Sequence, residues 1–314
     1  MNNKIDKIKE NIAQVIVGKN EITELLLTAL IAEGHVLLND VPGTGKTKLA
    51  HSLACSIEAD FKRIQFTPDL QPADITGLYY FDQKEGDFKF RSGPILNQII
   101  LADEINRAVP RTQASLLEAM EERQVTIEGN LFKLKEPFMV LATQNPVEME
   151  GTFDLPEAQL DRFLFQIELG YPDAQEELTI LQRFQKNDPL ENLQAVSSTQ
   201  DILALRKKRK EIKISEDLLN YIINLCRQTR QHKEIKLGVS PRGTLALMKA
   251  AQAYALIQNR DYVLPDDIKY LFPYIAVHRI LLDFDSQVSA QNNKKVITDI
   301  LEMVEVPVEG AVNG

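Results

Sequence analysis

Two cysteines, Cys55 and Cys226, are all that the 314-residue chain contains. Neither belongs to a Cys-x-x-Cys pair, which argues against a disulfide framework and against a zinc-thiolate site. The four histidines, His35, His51, His232 and His278, show no metal-ligand spacing, and no Ser-His-Asp arrangement can be read. No apolar run approaches the ~18 residues that cross a bilayer. The N-terminus, MNNKIDKIKENIAQ, lacks the apolar centre of a signal peptide. These absences lead to the expectation of a soluble cytoplasmic protein. Basic charge is also short: 36 Lys and Arg stand against 45 Asp and Glu, a formal charge of −9. An acidic chain repels phosphate backbones on average, which makes a general affinity for nucleic acid unexpected. One basic cluster, Arg206–Lys210 (RKKRK), reads as a solvated helix face.

What is present is core-forming residue. The hydrophobic share is 44%, enough for a packed interior, and the length suits about two domains of roughly 150 residues each. Short apolar runs at 35–39, 61–66, 98–103, 138–143 and 163–169 read as strands buried on both faces. Helical patterns lie at 21–33, 46–57 and 111–123, and this alternation predicts a parallel sheet covered by helices. Two segments break the rhythm. Residues 77–91 and 124–134 read as β-hairpins inserted into the α/β core, with turns at 84–87 and 128–130. From Asp173 onward the pattern becomes helical, with starts near Ser215 and Pro265. The expected division is an α/β core over 1–172, a helical domain over 173–305 and a short tail over 306–314.

The strongest chemical signal is VLLNDVPGTGKTKLA. An apolar strand enters a glycine-rich loop and leaves it as a helix, the context that a phosphate-binding loop requires. Gly43 and Gly45 let backbone N–H groups close around phosphate oxygens, and the helix N-terminus adds a favourable dipole. The candidate binding segment is Pro42, Gly43, Thr44, Gly45, Lys46, Thr47 and Lys48. Lys46 reaches for β- and γ-phosphates, and the Thr47 hydroxyl is a candidate Mg²⁺ ligand. The first glycine of the usual G-x-x-x-x-G-K-[ST] pattern is Asp40 here, a position that shapes the loop's entry.

A second apolar strand ends in Asp103-Glu104, where acids face the ligand crevice of a parallel sheet. Asp103 is a candidate metal ligand, and Glu104 a candidate base for the attacking water. A third strand ends in Asn145, whose amide can reach a γ-phosphate or that water, although Asn-Pro also simply makes turns. Arg162 and Arg242 are candidates for stabilising phosphoryl charge, against the plain alternative of structural ion pairs. Asn293-Lys294 is followed by Lys295-Val296, so no Asn-Lys-x-Asp guanine signature exists and ATP is favoured over GTP.

The succession DVPGTGKT, LADEINRAVPRTQASLLEAMEE, ATQNPVEMEGTFDLPEAQLDRF and SPRG closely resembles the MoxR family of AAA+ ATPases, over about Val17 to Arg242. The resemblance implies a P-loop AAA+ core with a parallel five-stranded sheet and inserted hairpins, followed by a small all-α lid. It implies ATP and Mg²⁺ as cofactors and assembly into a ring, usually a hexamer, with nucleotide at the subunit interfaces. Matched residue by residue, Asn145 corresponds to sensor 1 and Arg162 to an arginine finger acting on a neighbour. Arg242 corresponds to sensor 2, and Val17 and Gly18 would sit near the adenine. The 77–91 hairpin corresponds to the helix-2 insert, and 124–134 to the hairpin before sensor 1. Such proteins are chaperone-like ATP hydrolases that mature protein complexes, often beside von Willebrand factor A domain proteins. The competing readings are a ring ATPase acting on nucleic acid, a small-molecule kinase and a nucleotide-gated scaffold. The charge, the paired acids with two arginines, and the intact Glu104 weigh against them in turn.

Overall fold

The computed structural model describes residues 2–39, 43–145, 151–283 and 291–307. Its α/β part runs α1 (Asn2–Ala13), α2 (Asn20–Ile31), β1 (Val36–Asn39), α3 (Lys46–Ser56), β2 (Phe61–Gln65), α4 (Pro72–Thr76), β3 (Gly77–Asp82), β4 (Asp87–Ser92), β5 (Ile99–Asp103), α5 (Pro110–Glu122), β6 (Gln124–Ile127), β7 (Asn130–Lys133), β8 (Met139–Gln144), α6 (Glu157–Leu160) and β9 (Phe165–Ile167). The helical part follows as α7 (Ala174–Phe184), α8 (Thr199–Arg209), α9 (Glu216–Gln231), β10 (Ile235–Leu237), α10 (Pro241–Ile257), α11 (Pro265–Ala276), β11 (Leu281–Leu282) and α12 (Gln291–Met303). All five expected sheet strands form, in the order β2-β5-β8-β1-β9, and every pairing is parallel.

The alternation of side chains explains why these strands read as unbroken apolar runs. Val36, Leu38, Ile99, Leu101, Met139 and Leu141 face a cluster built with α1–α3 and the helices α8–α12. Leu37, Ile100, Ala102, Val140 and Ala142 face a second cluster with α5 and both hairpins. A polar residue on either face would be buried without a partner, at a cost of about 1–3 kcal/mol. The first cluster is continuous across the expected boundary at 172, so the helical part docks on the same core as the sheet. Val306 packs against it too, while 308–314 lie outside the described residues.

The two hairpins form as β3–β4 and β6–β7. Glu128 and Gly129 take φ of +48° and +83° at the second turn, the mirror-image turn that matches strand twist. Phe90 of β4 stacks on Phe132 of β7 with ring centroids 4.7 Å apart, which joins the hairpins into one unit. Two features depart from expectation. The helical part carries one short antiparallel ribbon, β10–β11. The basic cluster RKKRK is not wholly solvated: Arg206 and Arg209 are buried. α8 lies against the C-terminus of α2, where Arg206 Nε donates to Leu30 O at 3.0 Å and Arg209 pairs with Glu33 at 3.1 Å. Exposed carbonyls at a helix C-terminus attract cations, which draws these two side chains inward. Among the described residues no helix is long and apolar enough to cross a membrane.

Candidate nucleotide site

β1 delivers the chain to the loop, and α3 begins at Lys46 with Gly45 as its N-cap. Gly43 and Gly45 have φ of +87° and +89°, with open space where a Cβ would point. Glycine is required there for backbone conformation, and the space is left for a ligand. Pro42 lies outside the described residues. A cavity of about 380 Å³ opens over the loop, lined by Lys46, Thr47, Arg63, Asp103, Glu104, Thr143 and Asn145, among others. The structure thus brings together eight residues singled out in the sequence, Gly43, Gly45, Lys46, Thr47, Lys48, Asp103, Glu104 and Asn145, from the loop, the start of α3 and the ends of β5 and β8.

A second, mostly apolar cavity of about 260 Å³ sits on the other side of the loop. Val15, Ile16, Val17, Pro172, Ile180 and Phe184 line it, and Gly43, Gly45 and Lys48 border both cavities. One chamber offers charge and the other apolar walls, as phosphates and a purine would require. Val17 is in the wall of this apolar chamber. Gly18 stands behind it: with φ of +73°, a Cβ there would fall 1.6 Å from Glu176 Oε1, so glycine lets the start of α7 close in. Lys48 pairs with Asp188 and lies 4.5 Å from the Phe184 ring centroid. Its ammonium holds the Asp188 carboxyl below the usual carboxylate range.

The two acids are held by different partners. Asp103 Oδ1 accepts from Thr143 Oγ1 at 2.7 Å, and Oδ2 accepts from Arg63 Nε and Nη2 at 3.0 and 2.6 Å. Glu104 takes φ of +55°, rare for a non-glycine residue. Its N–H donates to the same Thr143 hydroxyl at 2.8 Å. Its carboxylate accepts from Gln65 at 2.7 Å and Arg107 at 3.1 Å. Sequence reasoning missed Arg63, Gln65, Arg107 and Thr143. The available hint was the polar alternation in FKRIQF, since β2 is the edge strand and its register sets Gln65 beside Asp103.

The donor set suits Mg²⁺. Thr47 and Asp103 offer hard oxygen atoms on one cavity wall, and Mg²⁺ commonly takes one or two protein ligands plus substrate phosphates and water. Among the described residues no group of three or more His, Cys, Asp or Glu gathers, and an ion of this kind does not need one.

Arg162 and Arg242 do not line the cavity. They meet elsewhere, on one carboxylate of α5. Arg242 Nη2 stands 2.8 Å and Arg162 Nη1 3.6 Å from the two oxygens of Glu121. Arg162 also donates to Leu117 O at 2.7 Å. The sequence singles out both residues for phosphoryl charge, and both stand outside the cavity that holds the loop and the two acids. The start of α10 meets α5 here and sets Arg242 beside Arg162.

Residues 35–165 match the family described as ATPase associated with various cellular activities (AAA), and residues 227–300 match the AAA lid domain. The chain is 50% identical to the uncharacterized protein YeaC of Bacillus subtilis, covering 97% of this chain and 95% of that one. It is 38% identical to Chaperone MoxR1 of Mycobacterium tuberculosis, covering 96% and 82% respectively. The crystal structure of an ATPase candidate from Cytophaga hutchinsonii superposes with a TM-score of 0.91 at 39% identity, over 98% of this chain and 96% of that one.

Proposed function

Because the chain belongs to the MoxR family of AAA+ ATPases, we propose that it hydrolyses ATP to remodel or mature a protein partner. The observation that carries this reading is the pair of separately held carboxylates facing the loop cavity. ATP would lay its purine between Val17 and Phe184 and its phosphates over Gly43–Thr47. Lys46 would bind the β- and γ-phosphates. Thr47 and Asp103 would hold Mg²⁺, which supplies charge neutralisation on the phosphates. Glu104 would take a proton from a water attacking the γ-phosphorus, as the bond to ADP breaks, and Asn145 would orient that water. Gln65 and Arg107 restrain Glu104 where it can do so.

The position of Arg162 and Arg242, off their own cavity but together, favours action on a neighbouring subunit's phosphates. A ring, hexameric in the family pattern, supplies that neighbour. The client would be a protein complex, with a von Willebrand factor A domain protein as a candidate partner. ATP turnover against protein concentration tests the reading. For the wild type, turnover per subunit should rise with concentration. Glu104→Gln and Arg162→Ala should each be inactive alone and partly active when mixed. Concentration-independent turnover with Arg162→Ala fully active would refute it.

A further inference from the structure

Directly before the finger arginine lies Asp161, a residue that no part of the reading above uses. Its carboxylate faces the helical part with both oxygens. Oδ1 accepts from Arg279 Nε at 2.7 Å, and Oδ2 accepts from Ser240 Oγ at 2.9 Å. Ser240 is the N-cap of α10 and accepts in turn from Gly243 N at 3.1 Å. Arg242, the second interfacial arginine, sits in that first turn.

Arg279 grips the same segment from the other side. Its side chain is 2% exposed. Nη2 donates to Phe163 O at 2.6 Å and Asp161 O at 3.1 Å, and Nη1 donates to Leu164 O at 3.1 Å. One guanidinium thus holds the backbone on both sides of Arg162. The fit against α10 is also close. A Cβ on Gly243 would come within 3.0 Å of Arg279 Cδ and 2.5 Å of Val239 Cγ1. Gly243 therefore leaves room at the start of α10 for Val239 first and for the Arg279 side chain beside it. A buried guanidinium in a forked, multiply bonded site is a rigid support, since its planar donors fix several acceptors at once.

We propose that Asp161 and Arg279 form a pin that sets Arg162 and Arg242 as one unit, so that the finger and the lid helix reach a neighbour's nucleotide together or not at all. These are positioning residues and touch no nucleotide themselves. The proposal rests on the reading that the two arginines serve an adjacent subunit. It differs from that reading in locating control at a carboxylate between core and lid.

The test uses full-length Asp161→Asn and Ser240→Gly. The second keeps a residue tolerated at N-caps and removes the hydroxyl tie to Asp161 together with the acceptor for Gly243 N. Misplacing a charged group by an ångström costs up to about 100-fold in rate. Turnover should therefore fall at least about tenfold for Asp161→Asn, and measurably for Ser240→Gly. Affinity of each variant's own cavity for a fluorescent ATP analogue should stay within about twofold. Equal mixing with Glu104→Gln should restore turnover, because those subunits present correctly set arginines to the variant's intact cavity. A merely structural defect would not recover on mixing. Arg162→Ala is the reference. If it is inactive while both pin variants turn over normally, the pin alone is overturned. Loss of nucleotide affinity in step with turnover, or no recovery on mixing, overturns it as well. If Arg162→Ala is fully active, the underlying reading falls and takes the pin with it.

Discussion

Replacing Thr143 by valine keeps the branched shape and removes one hydroxyl. That hydroxyl has two tasks, donating to Asp103 Oδ1 at 2.7 Å and accepting from Glu104 N at 2.8 Å. Thr143 is 1% exposed, so water cannot take its place. Leaving the Glu104 N–H unsatisfied costs about 1–3 kcal/mol, and losing a hydrogen bond to an ionised Asp103 costs about 1.5–3 kcal/mol. Asp103 keeps its pairing with Arg63, which softens the second loss. We expect a net destabilisation of about 2–4 kcal/mol, read from the shift in the urea unfolding midpoint. Glu104 holds φ of +55° against an intrinsic cost of about 1–2 kcal/mol. With its amide released, the residue relaxes and its carboxylate leaves the cavity wall. ATP turnover at saturation should then fall about 100-fold, with nucleotide affinity little changed because Lys46 and the loop are untouched. A stability loss under about 0.5 kcal/mol together with turnover within twofold of wild type would refute the role assigned to this hydroxyl.

Stability should also depend on pH. Burial, aided by Arg123 beside His35 and by Arg279 beside His278, depresses both imidazoles well below the ordinary value. The unfolded chain binds these protons near pH 6.5 and the folded chain does not. Stability is therefore full above pH 6.5 and falls on acidification, by about 1.4 kcal/mol per pH unit for each histidine; denaturant midpoints at pH 7.5 and 5.5 measure it, and no acid-side loss would contradict the burial. Gly93→Ala puts a Cβ 2.2 Å from Ile75 O and 2.4 Å from Gly77 N, both backbone. It should cost about 2–3 kcal/mol, whereas Gly86→Ala at the hairpin tip, with φ of +68° and no neighbour, should cost about 1 kcal/mol in thermal melts. Deleting residues 78–90 should leave ATP turnover standing and abolish its coupling to a client, since the hairpin exposes Tyr80, Phe81 and Phe88; unaltered remodelling would remove the hairpin from the mechanism.

Legibility from sequence followed contiguity. The loop and α3 are one stretch of chain, and Asp103-Glu104 and Asn145 sit at the ends of runs whose only requirement is burial on both faces. Composition and period therefore determined the five strands, the phosphate loop, the paired acids and both hairpins. Tertiary structure decided what stands beside them. The β2–β5 register brought Arg63 and Gln65 to the acids, and the β5–β8 pairing put Thr143 between them. Docking of the helical part turned Arg206 and Arg209 inward, carried Arg242 to Glu121 beside Arg162, and closed Arg279 on Asp161. These contacts join residues from 39 to 176 positions apart, and their free energy comes from packing and desolvation. A local window of sequence carries no record of that term, because the partner side chain that makes each group satisfied lies on another element.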